Sequence, residues 1–154
     1  MVGVRRATAA DADAVTAVHL ASRAAALPWL PALHTAAETR WWVEHVVLGR
    51  YRTWVAVEGD DVLGFLALDD GRLDQLYLRP DRRRQGIGTL LFRQAQQAQP
   101  AGFTIAVFTR NAPARASYEQ LGCRVVAEGD GRDNEEQEPD VTYEWRPGGA
   151  HSAA

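Results

Sequence analysis

A short arginine-rich turn between a strand-like and a helix-like segment constrains the fold of this chain more than any other feature. Residues 73–78 have the composition of a strand, and Pro80 ends it. The turn itself reads Arg82-Arg83-Arg84-Gln85-Gly86-Ile87-Gly88, and from Ile87 onward apolar residues recur at helical spacing. A glycine turn that opens a helix presents unpaired backbone N–H groups and the positive end of the helix dipole. Because arginine adds donors that match phosphate geometry, the segment predicts a site for a phosphate-bearing cofactor.

Length, charge and cysteine content narrow the class of protein. The 154 residues predict a single domain over residues 1–146, followed by a disordered tail at 147–154. The net charge of −3 gives no reason to expect general polyanion binding. One cysteine and no long apolar run favour a soluble protein in a reducing, cytoplasmic compartment, with no membrane partner.

The coarse pattern predicts the order β-α-α-β-β-β-α-β-α-β-β, a mixed sheet with helices on both faces. Capping boxes at Thr8 and Thr35 mark the first two helices, and Asn111 caps the last helix, which Gly122 ends. The apolar run at 103–108 predicts a strand buried on both faces. Strict alternation along residues 73–78 would place Asp74 on the same face as Leu76 and Leu78.

Two nucleotide-binding motifs are excluded by single residues. The dinucleotide fingerprint requires a third glycine at the position of Leu91, and a Walker phosphate loop requires a lysine, which this chain lacks altogether.

Two motifs read together resemble the GCN5-related N-acetyltransferase (GNAT) superfamily. The first is the Arg-x-x-Gly-x-Gly pattern of Arg83, Gly86 and Gly88, and the second is Asn111 followed by Tyr118-Glu119-Gln120-Leu121-Gly122. The resemblance implies an α/β (α+β) fold: a mixed, mostly antiparallel central sheet of six to seven strands, flanked by about four helices.

The same resemblance implies acetyl-CoA as acyl donor and no metal. The pyrophosphate would lie on backbone N–H groups from Arg84 to Thr89, and the pantetheine arm would follow the strand edge at Leu76 and Leu78. One of those two N–H groups would polarise the thioester carbonyl. The cofactor-binding residues implied are Leu76, Tyr77, Leu78, Arg83, Arg84, Gln85, Gly86, Ile87, Gly88, Thr89, Asn111 and Tyr118.

The catalytic residues are only partly implied. Tyr118 would protonate the departing thiolate. Some members of the family carry a glutamate base where this chain has Ala106, so Asp74, His34 and a chain of water molecules stay open as ways to deprotonate the acceptor.

The acceptor pocket is expected in residues 27–35 and 128–140, which correspond to variable parts of the family. Trp29 and His34 come from the first segment, and Glu135 and Glu136 come from the second. The carboxylates would attract a cationic group, so the predicted acceptor is a primary amine of a small molecule or peptide. The exposed apolar surface expected around the final strands would suit a homodimer.

Three other functions compete with N-acetyl transfer. A longer acyl-CoA would use the same donor site, and a non-catalytic CoA-binding or sensing domain would keep the fold without turnover. An RNA-binding module built on the arginines of residues 79–93 is disfavoured by the acidic net charge, so no nucleic-acid partner is expected.

Overall fold

A single seven-stranded sheet organises the protein, whose computed structural model describes residues 1–148. The strands are β1 Gly3–Arg6, β2 Arg52–Glu58, β3 Asp61–Asp69, β4 Arg72–Leu78, β5 Phe103–Phe108, β6 Arg124–Gly129 and β7 Asp140–Trp145. The helices are α1 Ala12–Ala26, α2 Ala36–Trp42, α3 Ile87–Ala98 and α4 Ala112–Gln120. Within residues 1–148, no helix is long and apolar enough to cross a membrane.

The predicted fold class and order of elements are confirmed. Local signals explain why, since Thr35 Oγ1 accepts a hydrogen bond from Glu38 N at 3.0 Å and Asn111 Oδ1 accepts one from Ala114 N at 3.3 Å. The helix that Thr35 starts continues beyond α2 as one π-helical turn at Val43–Val47. Each cap satisfies a backbone donor that the helix leaves unpaired, and this fixes where the helix begins.

Two hydrophobic cores cover the two faces of the sheet. One lies under α3 and α4 and contains Leu66, Leu91 and Phe92, while the other lies under α1 and contains Val15, Val55 and Phe65. Alternation along β3 supplies both cores, because Leu66 and Phe65 are neighbours on one strand and point to opposite faces.

The sheet is split at its centre, between β4 and β5. The strand order is β1-β2-β3-β4-β5-β7-β6, and β4–β5 is its parallel pair. These two strands share one registered pair, Arg72 with Thr104, at their beginnings. Beyond that pair they diverge, and we call the resulting opening the β4–β5 fork.

Two details of the sheet differ from the prediction, and both lie beside the fork. The strand β5 is buried on one face only, because Ala106 is exposed and borders the opening instead of a helix. Asp74 is the extra residue of a β-bulge, since Leu68 pairs with Leu73 and Ala67 pairs with Gln75. The bulge breaks the alternation, so Asp74 lines the same cavity as Gln75 while Leu76 packs on the α3 side.

The predicted disordered tail at 147–154 falls largely outside the described residues. Of this segment, the structure describes Pro147 and Gly148, which form an exposed turn.

Candidate active site

The arginine-glycine turn is an array of free backbone donors at the start of α3. Within residues 1–148, none of the backbone N–H groups from Arg83 to Thr89 donates to another backbone group, and the next one, Leu90 N, donates to Gly86 O at 3.1 Å. Arg84 and Gly86 adopt positive φ angles of 61° and 82°. Alternation of right- and left-handed backbone turns successive N–H groups inward, which is the geometry of an anion-binding nest.

The arginines around this turn divide into two pairs by their partners. Arg79 forms a bidentate ion pair with Asp81, and Arg82 bonds both Glu58 and Gln85. In the part of the chain that the structure describes, the exposed side chains of Arg83 and Arg84 have neither a hydrogen bond nor an ion pair. Two guanidinium groups are therefore available for an anion at the nest.

Within residues 1–148, the edge of β4 that faces the fork carries two N–H groups that are not bonded to β3. Arg79 N donates to Leu63 O at 2.8 Å, so the Arg79–Leu63 pair is a hydrogen-bonded one. Hydrogen-bonded and non-bonded pairs alternate in an antiparallel ladder, so Tyr77 also bonds β3, whereas Leu76 and Leu78 point away from it. The N–H groups of Leu76 and Leu78 thus face the fork, where they could receive an oxyanion.

The helix α4 brings Asn111 and Tyr118 to the other arm of the fork. The Asn111 Oδ1 atom caps the helix, which leaves its amide N–H groups to donate elsewhere. A network beneath the helix holds it on β7, because the buried Tyr143 hydroxyl donates to Glu119 Oε2 at 2.5 Å and accepts from Arg115 Nε at 3.0 Å. Glu119, next to Tyr118 in the motif, is therefore an anchor for the helix.

The pKa of the partly buried Tyr118 hydroxyl lies further above neutral pH than that of an ordinary tyrosine. Its ring packs between Phe92 and Tyr143, with ring centroids 6.3 Å from each. Burial raises the pKa of the Tyr118 hydroxyl, and the charges of Tyr77 and Cys123 raise it further. Burial also raises the pKa of the Cys123 thiol to about 12. Both groups are therefore neutral and protonated at pH 7.

A large cavity opens on the opposite side of the fork from the nest. Its volume is about 1340 Å³, and it is lined by α1, the segments 27–35 and 134–136, the start of β4 and the end of β5. Asp74, His34, Glu135 and Glu136 are among the lining residues, so the structure brings together four of the residues predicted around the reacting amine. Ala106 also lines the cavity.

Two of the acidic residues that line the cavity are paired with arginines, and a third is bonded to a histidine. Glu136 accepts from Arg23 at 3.2 Å, and Glu135 bonds His34 Nε2 at 2.5 Å. Asp74 is held by Arg72 Nη2 at 2.7 Å. Arg23 and Arg72 balance Glu136 and Asp74, whereas within residues 1–148 Glu38, Glu135 and Asp140 line the cavity without an arginine partner.

Trp29 is set apart from the other predicted acceptor residues. Its ring stacks under the Arg110 guanidinium at 3.9 Å and meets Phe108 edge-on at 6.1 Å, and it is not among the residues that line the cavity. Trp41 and Trp42 both line the cavity; Trp42 also packs on a core, while Trp41 is 60% exposed.

The sequence interpretation missed three residues on the acceptor side: His19, Arg23 and Gln75. His19 and Arg23 lie on α1, four residues apart and so on one face of the helix, and this spacing was the only signal in the sequence. Tyr77 was predicted on the donor side, but its ring packs 5.0 Å from that of His19.

Comparison with known sequences identifies the domain. The family model described as acetyltransferase (GNAT) domain matches residues 49–124. Over 74 residues the chain is 38% identical to the peptidyl-lysine N-acetyltransferase YjaB of Salmonella typhimurium, a stretch that covers 47% of this chain and 50% of that protein. The chain thus spans about half the length of the curated relatives it matches.

Solved structures extend the similarity to almost the whole chain. The apo form of YjaB from Escherichia coli superposes with a TM-score of 0.76 and 27% identity, over 97% of this chain and 99% of that one. The PaiA N-acetyltransferase of Thermoplasma acidophilum, solved in complex with coenzyme A, superposes with a TM-score of 0.72 and 15% identity, over 95% and 99% of the two chains. On the family-model match and the similarity to YjaB in sequence and in fold, the chain belongs to the GNAT acetyltransferase superfamily.

Proposed function

We propose that the protein transfers an acetyl group from acetyl-CoA to a primary amine of a small molecule or peptide, by direct attack in a ternary complex. The observation that carries the proposal is the β4–β5 fork, which opens to an anion nest on one side and to a large cavity on the other. A donor and an acceptor can thus approach one point from opposite sides without exchanging places.

The donor would be bound by the array already described. The nest and the free guanidinium groups of Arg83 and Arg84 suit a pyrophosphate. The Asn111 amide suits the peptide-like arm of the cofactor, and the N–H groups of Leu76 and Leu78 suit the carbonyl oxygen of the thioester. The remaining donor contacts would come from Gln85, Gly86, Ile87, Gly88 and Thr89, whereas the ring of Tyr77 lies on the side of His19.

The chemical step needs an oxyanion site and a proton donor. As the amine nitrogen attacks the thioester carbon, negative charge would develop on the oxygen facing the β4 edge. When the C–S bond breaks, Tyr118 would give its proton to the thiolate, which its raised pKa allows it to hold at neutral pH. The nitrogen loses its proton to solvent as the amide and coenzyme A are released, and Tyr118 regains a proton from solvent, which restores the enzyme.

Two measurements test the proposal. Acetyl-CoA should bind in calorimetry, and coenzyme A should be released with a lysine-containing peptide or with small primary amines. Gly86→Asp should abolish binding, because it sets a carboxylate in the anion nest. Gly59→Asp is the control, since Gly59 also has a positive φ, of 60°, but lies in the β2–β3 hairpin. Binding without turnover across the amine panel would instead support the non-catalytic CoA-binding alternative.

A further inference from the structure

The cavity contains a buried histidine that the reaction described so far does not use. His19 is 7% exposed, and its ring is enclosed by those of Trp42, Phe65 and Tyr77 at 5.4, 6.5 and 5.0 Å. It makes no hydrogen bond within residues 1–148, and of its two ring nitrogens Nδ1 is the one that is fully enclosed. The ring therefore offers Nε2 as its accessible nitrogen on the wall of the acceptor cavity.

The enclosed nitrogen of His19 has one neighbour that suits it. In the part of the chain that the structure describes, His19 Nδ1 and Gln75 Oε1 are the buried side-chain polar atoms without a hydrogen-bond partner. The Gln75 side chain faces His19, and this contact alone would raise the pKa of the imidazole. A hydrogen bond between these two atoms would remove the cost of leaving both unsatisfied.

A chain of directed hydrogen bonds fixes which atom of Gln75 faces His19. Arg72 Nη2 lies 2.7 Å from Asp74 Oδ1, and Gln75 Nε2 donates to Asp74 Oδ2 at 2.9 Å. The amide nitrogen of Gln75 thus donates to Asp74, and the amide oxygen of Gln75 is the atom that can accept from His19. Because an amide oxygen only accepts, Nδ1 must carry the proton of His19, and Nε2 keeps its lone pair.

We propose that His19 binds the acceptor: its Nδ1–H pairs with Gln75 Oε1, and its Nε2 accepts a hydrogen bond from the amine that attacks the donor. The assignment rests on the proposed acetyl transfer and adds the residue that orients the nucleophile. An N–H donated to Nε2 leaves the lone pair of the amine free to attack. Asp74 then serves as a positioning residue that acts through Gln75.

The surroundings of His19 make this site selective for a neutral amine. Burial lowers the pKa of His19 to about 4, and the charge of Arg23 lowers it too, so the ring is uncharged at pH 7. The nearby carboxylates Asp74 and Glu136 are paired with Arg72 and Arg23. An ammonium beside His19 would gain no counter-charge from these two carboxylates or from the neutral ring, which favours the deprotonated amine at Nε2 and reduces the need for a glutamate at position 106. Glu38, Glu135 and Asp140 also line the cavity and carry its remaining negative charge.

The tautomer of His19 tests the proposal without any substrate. In ¹⁵N spectra at pH 7, His19 should be the Nδ1–H tautomer, with its signals assigned by their loss in His19→Phe. Gln75→Leu should move it to the Nε2–H form, whereas Gln97→Leu, on the exposed face of α3, should not. A charged ring, an Nε2–H tautomer in the native protein, or no response to Gln75→Leu would overturn the assignment. Because acetyl-CoA is absent, failure here is distinct from failure of the proposed function.

Kinetics with acetyl-CoA and an N-terminally blocked lysine peptide test the role in the reaction. His19→Phe keeps a ring of similar size and should lower kcat/KM for the peptide roughly tenfold, the effect of losing one neutral hydrogen bond, with KM for acetyl-CoA unchanged. His19→Gln, whose amide oxygen can accept in place of Nε2, should recover most of the lost kcat/KM. The control His45→Phe, at an exposed position, should have the kcat/KM of the native protein. The proposal would be contradicted if His19→Phe had the same kcat/KM for the peptide as the native protein, or if its KM for acetyl-CoA also rose.

Discussion

The Tyr118 hydroxyl is the group whose removal most directly tests the proposed chemistry. Burial raises its pKa, so it stays protonated throughout the pH range of an ordinary assay. We expect Tyr118→Phe to lower kcat by about 100-fold, the contribution of one general acid. The Kd of acetyl-CoA should change little, since the ring packing against Phe92 and Tyr143 is kept. Coenzyme A release between pH 6 and pH 9 measures this, and an unchanged kcat across that range would exclude the acid role.

Single residues were predictable where their signal was local. Gly86 predicts a turn and Asn111 predicts a helix cap from the few residues around each, and the structure has both. His19 and Gln75 gave no such signal, because their contact joins α1 to β4 and depends on a bulge at Asp74. The alternation of apolar and polar residues does not show where a β-bulge adds a residue to a strand. The residues of the acceptor cavity were therefore only partly predicted.

The close packing of β3 on β4 at Gly64 shapes the edge proposed to bind the thioester carbonyl. A Cβ at Gly64 would lie 2.7 Å from Leu78 Cδ2 and 2.8 Å from Tyr77 O. Gly64→Ala should therefore displace β4, lower the free energy of unfolding by about 1–3 kcal/mol and reduce kcat. Urea unfolding and coenzyme A release measure the two effects.

The matched control for this strand is Gly71→Ala. Gly71 lies in the turn before β4, has no positive φ, and has open space where a Cβ would be. Its variant should keep both stability and turnover. If the two variants behaved alike, the edge of β4 would not be the sensitive element.

The attachment of α4 to β7 is a second element-scale feature with a measurable energy. The Tyr143 hydroxyl joins Glu119 and Arg115 of the helix. We expect Tyr143→Phe to lower the free energy of unfolding by about 1–2 kcal/mol, because a buried hydrogen bond to a charged group is lost without creating a cavity. Urea unfolding measures it, with Glu119→Gln as a milder variant that keeps an acceptor. No loss in Tyr143→Phe would mean that packing alone holds α4.

The helices and strands were predictable from sequence because each one has its own start and stop signals. What packs against each of them was not predictable in this way. The strand β5 was placed correctly at residues 103–108 but was expected to be buried on both faces. Its apolar composition cannot reveal that β4 diverges from it and leaves Ala106 beside an opening. The fork is a property of two strands that are separated by a helix in the chain.

The positions of charged residues in the sequence do not show which of them are paired with an opposite charge in the folded protein. The acidic segment 128–140 looked like an attractor for cations, yet Glu136 and Glu138 bond Arg23 and Arg110. These ion pairs connect the segment to α1 and to the end of β5. The segment therefore forms one wall of the cavity. Arg83 and Arg84, which have no ion pair within residues 1–148, lie at the nest instead, so the donor side of the site carries the free positive charge.

The stability of the whole protein should fall in mild acid because of His19. Its pKa is about 4 in the folded protein against an ordinary value of 6.5, so between these pH values the unfolded chain binds a proton that the folded protein does not. Stability is therefore complete above pH 6.5 and is lost as the pH falls towards 4, by an amount on the order of 3 kcal/mol. Urea unfolding at pH 7, 5.5 and 4 should show this loss in the native protein and in exposed His45→Phe. His19→Phe should be less sensitive by that amount, because the carboxylates common to all three proteins cancel in the comparison. Equal losses in His19→Phe and the native protein would mean that His19 is not held neutral by the fold.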